Sequence, residues 1–457
     1  MKKNILLCIA IILYLLFLPS YVDVDIKVKA FATLVIIQIL WMGRVFPLAH
    51  SSILLMLILS FHFFTYEETL DFIATDIVWL MFSIFIISHA FIKTGLARRI
   101  SLMMLKLSRG SGRLLILIAY LLMFILSIMV PSNIGKASLL TSVFDSLLKS
   151  VQKIIKAKNL GKALFIGVSY LTATCGAFVA TGASSTVYAY GIMSGLSPDL
   201  NYLNWILYFA PPIILFAFVL WGIFLFVYPP ENIDKELLNQ LINSKLRELG
   251  EISLSEKKMI VIISITVALW ATQQLHHVSI PLIGLLGAVL TITPMVGVWN
   301  WNEAKQAIDW DMILFFASTI MVSGMLIDTG TIDLLAKTLM DVLPFESSML
   351  IVVALLIFIL LLRIIFVNVL GFLTIVLPLA LTLGETLPGF SSIVLTMGVF
   401  LIGIPGFLLI TQSPVHLLTF PYGYYSERDL LRVGGISIVC WLVIILTTMM
   451  TYWIYIG

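Results

Sequence analysis

Charged residues are scarce in this chain of 457 residues, where Asp, Glu, Lys and Arg together make up 11%. Ordinary soluble domains carry about 25% charged residues. Hydrophobic residues reach 61% and the mean hydropathy is +1.10. A soluble fold has too little interior to bury that much apolar surface, so the composition excludes one. It predicts an all-α polytopic membrane protein whose main partner is the lipid bilayer.

Cysteine is also rare, with Cys8, Cys175 and Cys440 scattered in apolar segments. They form no C-x-x-C pair and no Cys/His cluster with the spacing of metal ligands. We therefore expect no disulfide framework, no structural metal and no cofactor. The net charge of +3 comes without a basic stripe, and nucleic acid is not expected as a partner.

Groups for enzyme chemistry are missing as well. An intramembrane enzyme would need paired acids, a Ser/Lys or Ser/His dyad, or histidines at helical spacing. His276 and His277 are adjacent in sequence and cannot share one face of a helix. The chain is not expected to be an enzyme, and an intramembrane enzyme is the least favoured alternative.

Apolar segments of near-spanning length fill most of the chain. Polar punctuation divides them into about eleven transmembrane helices and two segments interpreted as re-entrant hairpins, residues 114–148 and 349–383. With the N-terminus inside, almost every Lys and Arg of the connections falls on the cytoplasmic side, and only Lys27, Lys29 and Lys337 fall outside. This asymmetry predicts a multi-pass protein of the cytoplasmic membrane with its C-terminus outside.

Two halves of the sequence share a register. The same offset of 235 residues separates Gly95 from Gly330 and Asn133 from Asn368. The predicted topology runs the two halves in opposite directions, and inverted repeats are typical of secondary transporters. We predict an N-terminal helix (residues 1–28), a first repeat (29–228), a cytoplasmic linker (229–258) and a second repeat (259–457).

The tip of the first hairpin reads Val130-Pro131-Ser132-Asn133-Ile134-Gly135-Lys136. Proline ends one arm, and a hydroxyl, an amide and the free N–H groups of a helix N-terminus follow. Helix N-termini bind anions through these N–H donors and the helix dipole. The tip is therefore a candidate anion site, and an ordinary kinked loop at the membrane face is the alternative.

Small polar residues interrupt one long helix in each half. The first such segment, residues 163–195, contains Thr181-Gly182-Ala183-Ser184; the second, residues 392–420, contains Thr411-Gln412-Ser413-Pro414. Broken helices expose carbonyls and hydroxyls that can hold substrate or a cation. Close packing of small residues is the alternative explanation, and the recurrence in both halves favours a site.

Two cations fall inside apolar segments, Lys136 beside the first tip and Arg363 just before Asn368. An intramembrane charge is by default a functional candidate. Facing a cavity, these side chains would supply positive charge for an anion. The alternatives are that Lys136 pairs with Asp145, or that either side chain extends to the membrane interface.

These residues resemble the divalent anion:sodium symporter family over most of the chain. Family members carry Ser-Asn-Thr at each hairpin tip; Ser132-Asn133 matches the first tip and Asn368 resembles the second. Thr411 to Pro414, followed by Gly423-Tyr424, resembles the closing segment of the family. Ile134 and Val369 stand where the family has threonine. The resemblance implies a homodimer, a dicarboxylate or similar dianion between the tips, and Na⁺ in the adjacent loops.

The predicted function is secondary active transport of small di- or tricarboxylates or an inorganic dianion by elevator-like alternating access. Coupling to Na⁺ or H⁺, or exchange, is left open, and a degenerate carrier serving as receptor or assembly factor is the alternative. The substrate-binding candidates are Ser132, Asn133, Ile134, Gly135, Lys136, Ser184, Arg363, Asn368, Val369, Ser413 and Pro414. The candidates for a coupling cation are Asn133, Thr181, Gly182, Asn368 and Thr411.

Overall fold

The computed structural model describes residues 2–19, 21–130, 132–152, 154, 157–197, 200–342, 347–389 and 391–455. Within these ranges all regular structure is helical, which confirms the predicted fold class. The first half contains α1 (Lys2–Phe17), α2 (Ile26–Met42), α3 (Leu48–His62), α4 (Tyr66–Ala74), α5 (Asp76–Lys93), α6 (Leu96–Lys106), α7 (Gly112–Met129), α8 (Asn133–Gln152), α9 (Lys158–Gly176), α10 (Ser184–Ser194) and α11 (Tyr202–Val227).

The linker forms α12 (Lys235–Leu249). The second half contains α13 (Leu254–Ala271), α14 (Gln273–His276), α15 (Ile280–Ile292), α16 (Trp301–Ala307), α17 (Trp310–Asp328), α18 (Thr331–Val342), α19 (Ser348–Ile365), α20 (Val369–Thr386), α21 (Ser392–Gly403), α22 (Pro414–Thr419) and α23 (Glu427–Thr451). Three short 3₁₀ turns cover Ile410–Gln412, Phe420–Tyr422 and Trp453–Tyr455.

Seven helices of the described ranges are long and apolar enough to cross a membrane, and four shorter apolar helices accompany them. A multi-pass membrane protein is therefore the correct class. The count of eleven spans, the re-entrant course of the hairpins and the sidedness of the termini remain predictions.

Helix ends follow local capping. Helix α7 ends at Met129 and α8 begins at Asn133, while α19 ends at Ile365 and α20 begins at Val369. The segment predicted as the linker, residues 229–258, contains α12 and the first turn of α13. Ser253 and Glu256 form a capping box, with each side chain bonding the other residue's backbone N–H, and α13 begins at Leu254.

The helices divide into two groups by packing. The first group, called the frame, contains α2, α3, α5, α13, α15 and α17: α5 and α13 pack on α15, and α2 and α3 pack on α17. In the hairpin unit, α7 and α8 (hairpin 1) pack on α9, and α19 and α20 (hairpin 2) pack on α21. The helices α6 and α18 connect the groups, each entered through a glycine in the left-handed region, Gly95 and Gly330. Only glycine adopts that conformation without strain.

Each broken helix reaches from its own half of the chain to the hairpin of the other half. Break 1 (residues 177–183) separates α9 from α10, and break 2 (residues 404–413) separates α21 from α22. Beyond break 1, α10 packs on α20 of hairpin 2; beyond break 2, α22 packs on α8 of hairpin 1. Each half thus supplies a helix that supports the other half's hairpin, and the two breaks lie inside one unit.

Candidate substrate site at the hairpin tips and helix breaks

Ser132 caps the helix at the first tip. Its Oγ accepts the N–H of Gly135 at 3.1 Å, and its carbonyl accepts the N–H of Lys136 at 2.9 Å. Ile134 follows with 54% of its surface exposed. Pro131, the residue expected to end the first arm, lies outside the described residues.

Asn133 points away from its own helix start and toward break 1. Its Oδ1 is buried without a partner among the described residues, and it lies 3.0 Å from where a Cβ on Gly176 would be. A side chain at Gly176 would therefore press on this amide. The tip and the end of α9 can meet this closely because residue 176 is glycine.

Lys136 is fully buried and bonds break 1. Its Nζ donates to Ser127 Oγ and to the carbonyl of Gly182, both at 3.0 Å. Asp145 instead pairs with Lys149 at 2.8 Å, and accepts a hydrogen bond from Tyr424 at 2.9 Å. The alternative pairing of Lys136 with Asp145 was therefore wrong, and the buried ammonium does not extend to an interface.

The second tip is capped differently. Asn368 Oδ1 accepts the N–H of Leu370 at 3.0 Å, so this asparagine takes the capping role that Ser132 has at the first tip. Val369 follows, half-buried. The two asparagines share a register but make different contacts, because Val367 has no hydroxyl to cap α20.

Arg363 is the buried cation of the second half. Its Nε donates to the carbonyl of Gly403 at 2.9 Å, and its Nη2 donates to the carbonyl of Gln412 at 2.9 Å. Its Nη1 bonds the carbonyl of Phe366 at the end of its own helix. The guanidinium therefore joins hairpin 2 to both ends of break 2.

Break 2 is held open by side chains. Gln412 Oε1 accepts the N–H groups of Leu408 at 2.8 Å and Leu409 at 2.9 Å, and Ser413 Oγ accepts that of Val415 at 3.2 Å. Thr411 and Pro414 are exposed at this break. Ser413, which lies between them in sequence, is buried.

Break 1 is the more enclosed of the two. Thr181 and Gly182 are buried, and Ser184 is half-buried as the first residue of α10. Thr186 Oγ1 donates to the carbonyl of Gly176 at 2.9 Å. Trp205 Nε1 donates to the carbonyl of Ala177 at the same distance, so part of the backbone freed by the break is already satisfied.

The common feature of the two halves is a buried cation bound to the carbonyls of a break. The cations come from different arms, Lys136 from the second arm of hairpin 1 and Arg363 from the first arm of hairpin 2. Neither forms a salt bridge with a described residue. The two basic side chains beside the tips thus have no acidic partner within the part of the chain that the structure describes.

The sequence did not predict Ser127 as a hydrogen-bond partner of Lys136, or the carbonyl of Gln412 as a partner of Arg363. Ser127 is the polar residue near the end of the apolar helix α7, and its position nine residues before Lys136 was a usable signal. Gln412 was noted as part of the second helix break, but nothing in the sequence indicated that its carbonyl would bind Arg363. Within the described ranges no group of three or more His, Cys, Asp or Glu could hold a metal ion.

Comparison with known proteins gives consistent results. The model of the family described as "Sodium:sulfate symporter transmembrane region" matches residues 1–457. A citrate/succinate antiporter of Escherichia coli is 23% identical over 373 residues, covering 79% of this chain and 74% of that protein. An L-tartrate/succinate antiporter of Escherichia coli is 22% identical over 386 residues, covering 82% and 78%.

Two further proteins are similar. A transporter of Haemophilus influenzae of uncharacterised function is 26% identical over 396 residues, covering 84% of this chain and 81% of that protein. The crystal structure of the YdaH transporter of Alcanivorax borkumensis shares the fold with a TM-score of 0.50 and 12% identity, covering 83% of this chain and 85% of that one. With a family match along its whole length, the chain belongs to the sodium:sulfate symporter (divalent anion:sodium symporter) family of membrane transporters and is not an enzyme.

Proposed function

We propose that this transporter exchanges small dicarboxylates or tricarboxylates across the cytoplasmic membrane without Na⁺. The anion binds between the two hairpin tips, and the hairpin unit moves against the frame. Two relatives named as antiporters of citrate, tartrate and succinate support this choice of substrate and mode.

The single observation that carries the proposal is the pair of buried cations at the breaks. Lys136 and Arg363 are 0% and 1% exposed, and each is bound to break carbonyls of its own half. A dianion has two negative charges, and two cationic side chains can balance them. No mobile cation is then needed to neutralise the substrate.

Fixed charge also favours exchange over one-way transport. Taking an ion out of water costs several kcal/mol in proteins even after relaxation. An empty hairpin unit would carry two uncompensated cations past the apolar frame, whereas a unit loaded with a dianion would be close to neutral. We therefore expect the loaded unit to move quickly and the empty unit to move slowly, which couples uptake of one anion to release of another.

The residues around the breaks are a poor fit to Na⁺. Hard cations need several oxygen ligands. The carbonyls of Gly182, Gly403 and Gln412 already accept bonds from ammonium or guanidinium groups, and a Na⁺ at these atoms would face a like charge. The tips also lack the family threonines, which are Ile134 and Val369 here.

The frame would serve as the fixed part of such a carrier. A homodimer through frame helices, as the family resemblance implies, would hold it still while the hairpin unit moves. The N-terminus is placed inside and the C-terminus outside, from the distribution of Lys and Arg.

Counterflow in proteoliposomes tests the proposal. We expect labelled succinate to enter vesicles loaded with unlabelled succinate at the same rate with or without a Na⁺ gradient. We expect little entry into vesicles without internal anion. Lys136→Met should lower the exchange rate at least tenfold, because one of the two charges that balance the dianion is removed.

Lys149→Met is the matched control, because Lys149 lies on the same helix with 69% of its side chain exposed. It should keep the wild-type rate. Thermal unfolding of each purified variant shows whether it is folded. Uptake that follows the Na⁺ gradient, or that a protonophore abolishes, would overturn the exchange mode, and no counterflow with any carboxylate or sulfate would favour the receptor alternative.

A further inference from the structure

Hydrogen bonds fasten hairpin 2 to the frame. Ser323 of α17 donates through Oγ to the carbonyl of Thr374 in α20 at 3.3 Å, and it also shares a hydrogen bond with Tyr188 OH of α10. Gln38 of α2 donates to the carbonyl of Gly371, one turn earlier in α20, at 3.1 Å. In this state hairpin 2 is therefore the hairpin that is hydrogen-bonded to the frame, which we call the fastened hairpin.

Ser88 of α5 is the counterpart of Ser323 in the first half, since the repeat offset of 235 residues separates the two. Its side chain is 1% exposed, and its Oγ has no hydrogen-bond partner among the described residues. The neighbouring pair Ser83 and Ser318 has the same offset. Each hydroxyl donates to a carbonyl of its own helix, and Ser318 Oγ also bonds Ser52 Oγ of α3 in the frame. Neither hydroxyl bonds a hairpin, so the difference in bonding to the hairpins belongs to Ser88 and Ser323.

The surroundings of Ser88 face hairpin 1. On α5, Ile84, Ser88 and Ile92 are spaced four residues apart and share one helix face. Ile84 lines a small cavity together with Ile128 and Met129 at the end of α7. Ile92 Cδ1 lies 3.4 Å from where a Cβ on Gly135 would be. Among the described residues, no hydrogen bond joins α5 to hairpin 1.

We propose that Ser88 and Ser323 are alternating latches, each holding the hairpin of its own half to the frame in one of the two transport states. This rests on the alternating access of the proposed function. In the state described, Ser323 is engaged and Ser88 is idle. In the other state Ser88 donates to the carbonyl of Leu139 in hairpin 1, and Leu139 is the counterpart of Thr374. The hydrogen bond from Ser323 to hairpin 2 is then broken.

The inverted repeat gives the physical reason. Two oppositely oriented halves make equivalent contacts in exchanged states, so a bond present in one half predicts its absent partner in the other. A buried hydroxyl without a partner is destabilising. The unpartnered hydroxyl of Ser88 thus raises the free energy of the present state. In the other state Ser88 regains a hydrogen bond.

The labelling rate of a reporter cysteine from each side of the membrane tests whether Ser88 and Ser323 act as alternating latches. The reporter is Ile134→Cys at the exposed first tip, in a background without Cys8, Cys175 and Cys440. A membrane-impermeant maleimide is applied from either side of proteoliposomes, and the ratio of the two labelling rates is measured. Ser323→Ala should shift this ratio about fivefold toward the state with hairpin 1 fastened, the effect of one net hydrogen bond.

Ser88→Ala should shift the ratio by a similar factor in the opposite direction, and Ser83→Ala on the same helix should leave it unchanged. Shifts in the same direction, or a Ser88→Ala result equal to that of Ser83→Ala, would overturn the latch pair. Labelling requires no transported anion. Opposite shifts in these variants, with no dicarboxylate counterflow by the wild-type chain, would therefore uphold the latches and refute the proposed substrate, whereas wild-type counterflow without shifts would do the reverse.

Discussion

At the scale of single residues, Gly176 controls how closely hairpin 1 approaches break 1. A Cβ there would lie 3.0 Å from Ala183 Cβ and from Asn133 Oδ1, and 3.5 Å from Lys136 Nζ. Gly176→Ala should therefore displace the tip by a few tenths of an ångström. We expect a loss of about 1–2 kcal/mol in dicarboxylate affinity, the usual cost of overpacking, measured by titration calorimetry.

Gly222→Ala is the control, because a Cβ at this position in α11 meets no atom within 4 Å. Both changes replace glycine in a helix and should raise helix propensity by up to about 1 kcal/mol. Equal affinities of the two variants would show that the approach of Asn133 to Gly176 does not matter for binding.

At the scale of elements, Arg99 fixes the connecting helix α6 to the linker. Its guanidinium pairs with Glu256 at 2.6 Å, with both side chains largely buried, and it donates to the carbonyls of Gly250 and Glu251 after α12. Removing one member of a buried pair leaves the other charge uncompensated. Arg99→Met should destabilise the protein by about 3 kcal/mol, seen as a lower Tm in detergent.

Arg98 is adjacent and exposed, so Arg98→Met removes the same charge without breaking a pair. Its Tm should stay near that of the wild type. A Tm for Arg99→Met that matched the Arg98→Met value would mean that the linker does not depend on this contact. The second connecting helix, α18, has no linker beside it, and the two connections are therefore unequal although the repeats are related.

At the scale of the whole molecule, contacts between the halves hold the hairpin unit together. Helix α23 packs on α21 of the hairpin unit. Its Asp429 pairs with Lys162 of α9 at 2.7 Å, and Tyr228 donates to the same carboxylate at 2.6 Å. A short thiol cross-linker between cysteines replacing Lys162 and Asp429 should therefore leave dicarboxylate exchange largely intact, because both ends move together.

The same cross-linker between cysteines replacing Ser323 and Thr374 joins the frame to hairpin 2. It should stop exchange, and reduction should restore it. Exchange that continued with this second bridge closed would contradict movement of the hairpin unit against the frame. Each double-cysteine variant without cross-linker provides its own reference rate.

The sequence by itself determined the membrane class, the all-helical fold and the family. These features are local or compositional: hydropathy sets what lies in lipid, and proline, glycine and unpaired polar residues end helices where they stand. Ser132 and Asn133 marked the first tip by their polar side chains, whereas Asn368 was located through the repeat offset of 235 residues.

Only the tertiary structure decided what Lys136 and Arg363 bind, and that Asn133 and Asn368 act differently. The carbonyl of Gly182 is 46 residues from Lys136, and that of Gly403 is 40 residues from Arg363. A backbone carbonyl is the same group at every residue, so no sequence pattern marks the one that a distant cation will reach. Packing of the broken helices against the hairpins makes that choice.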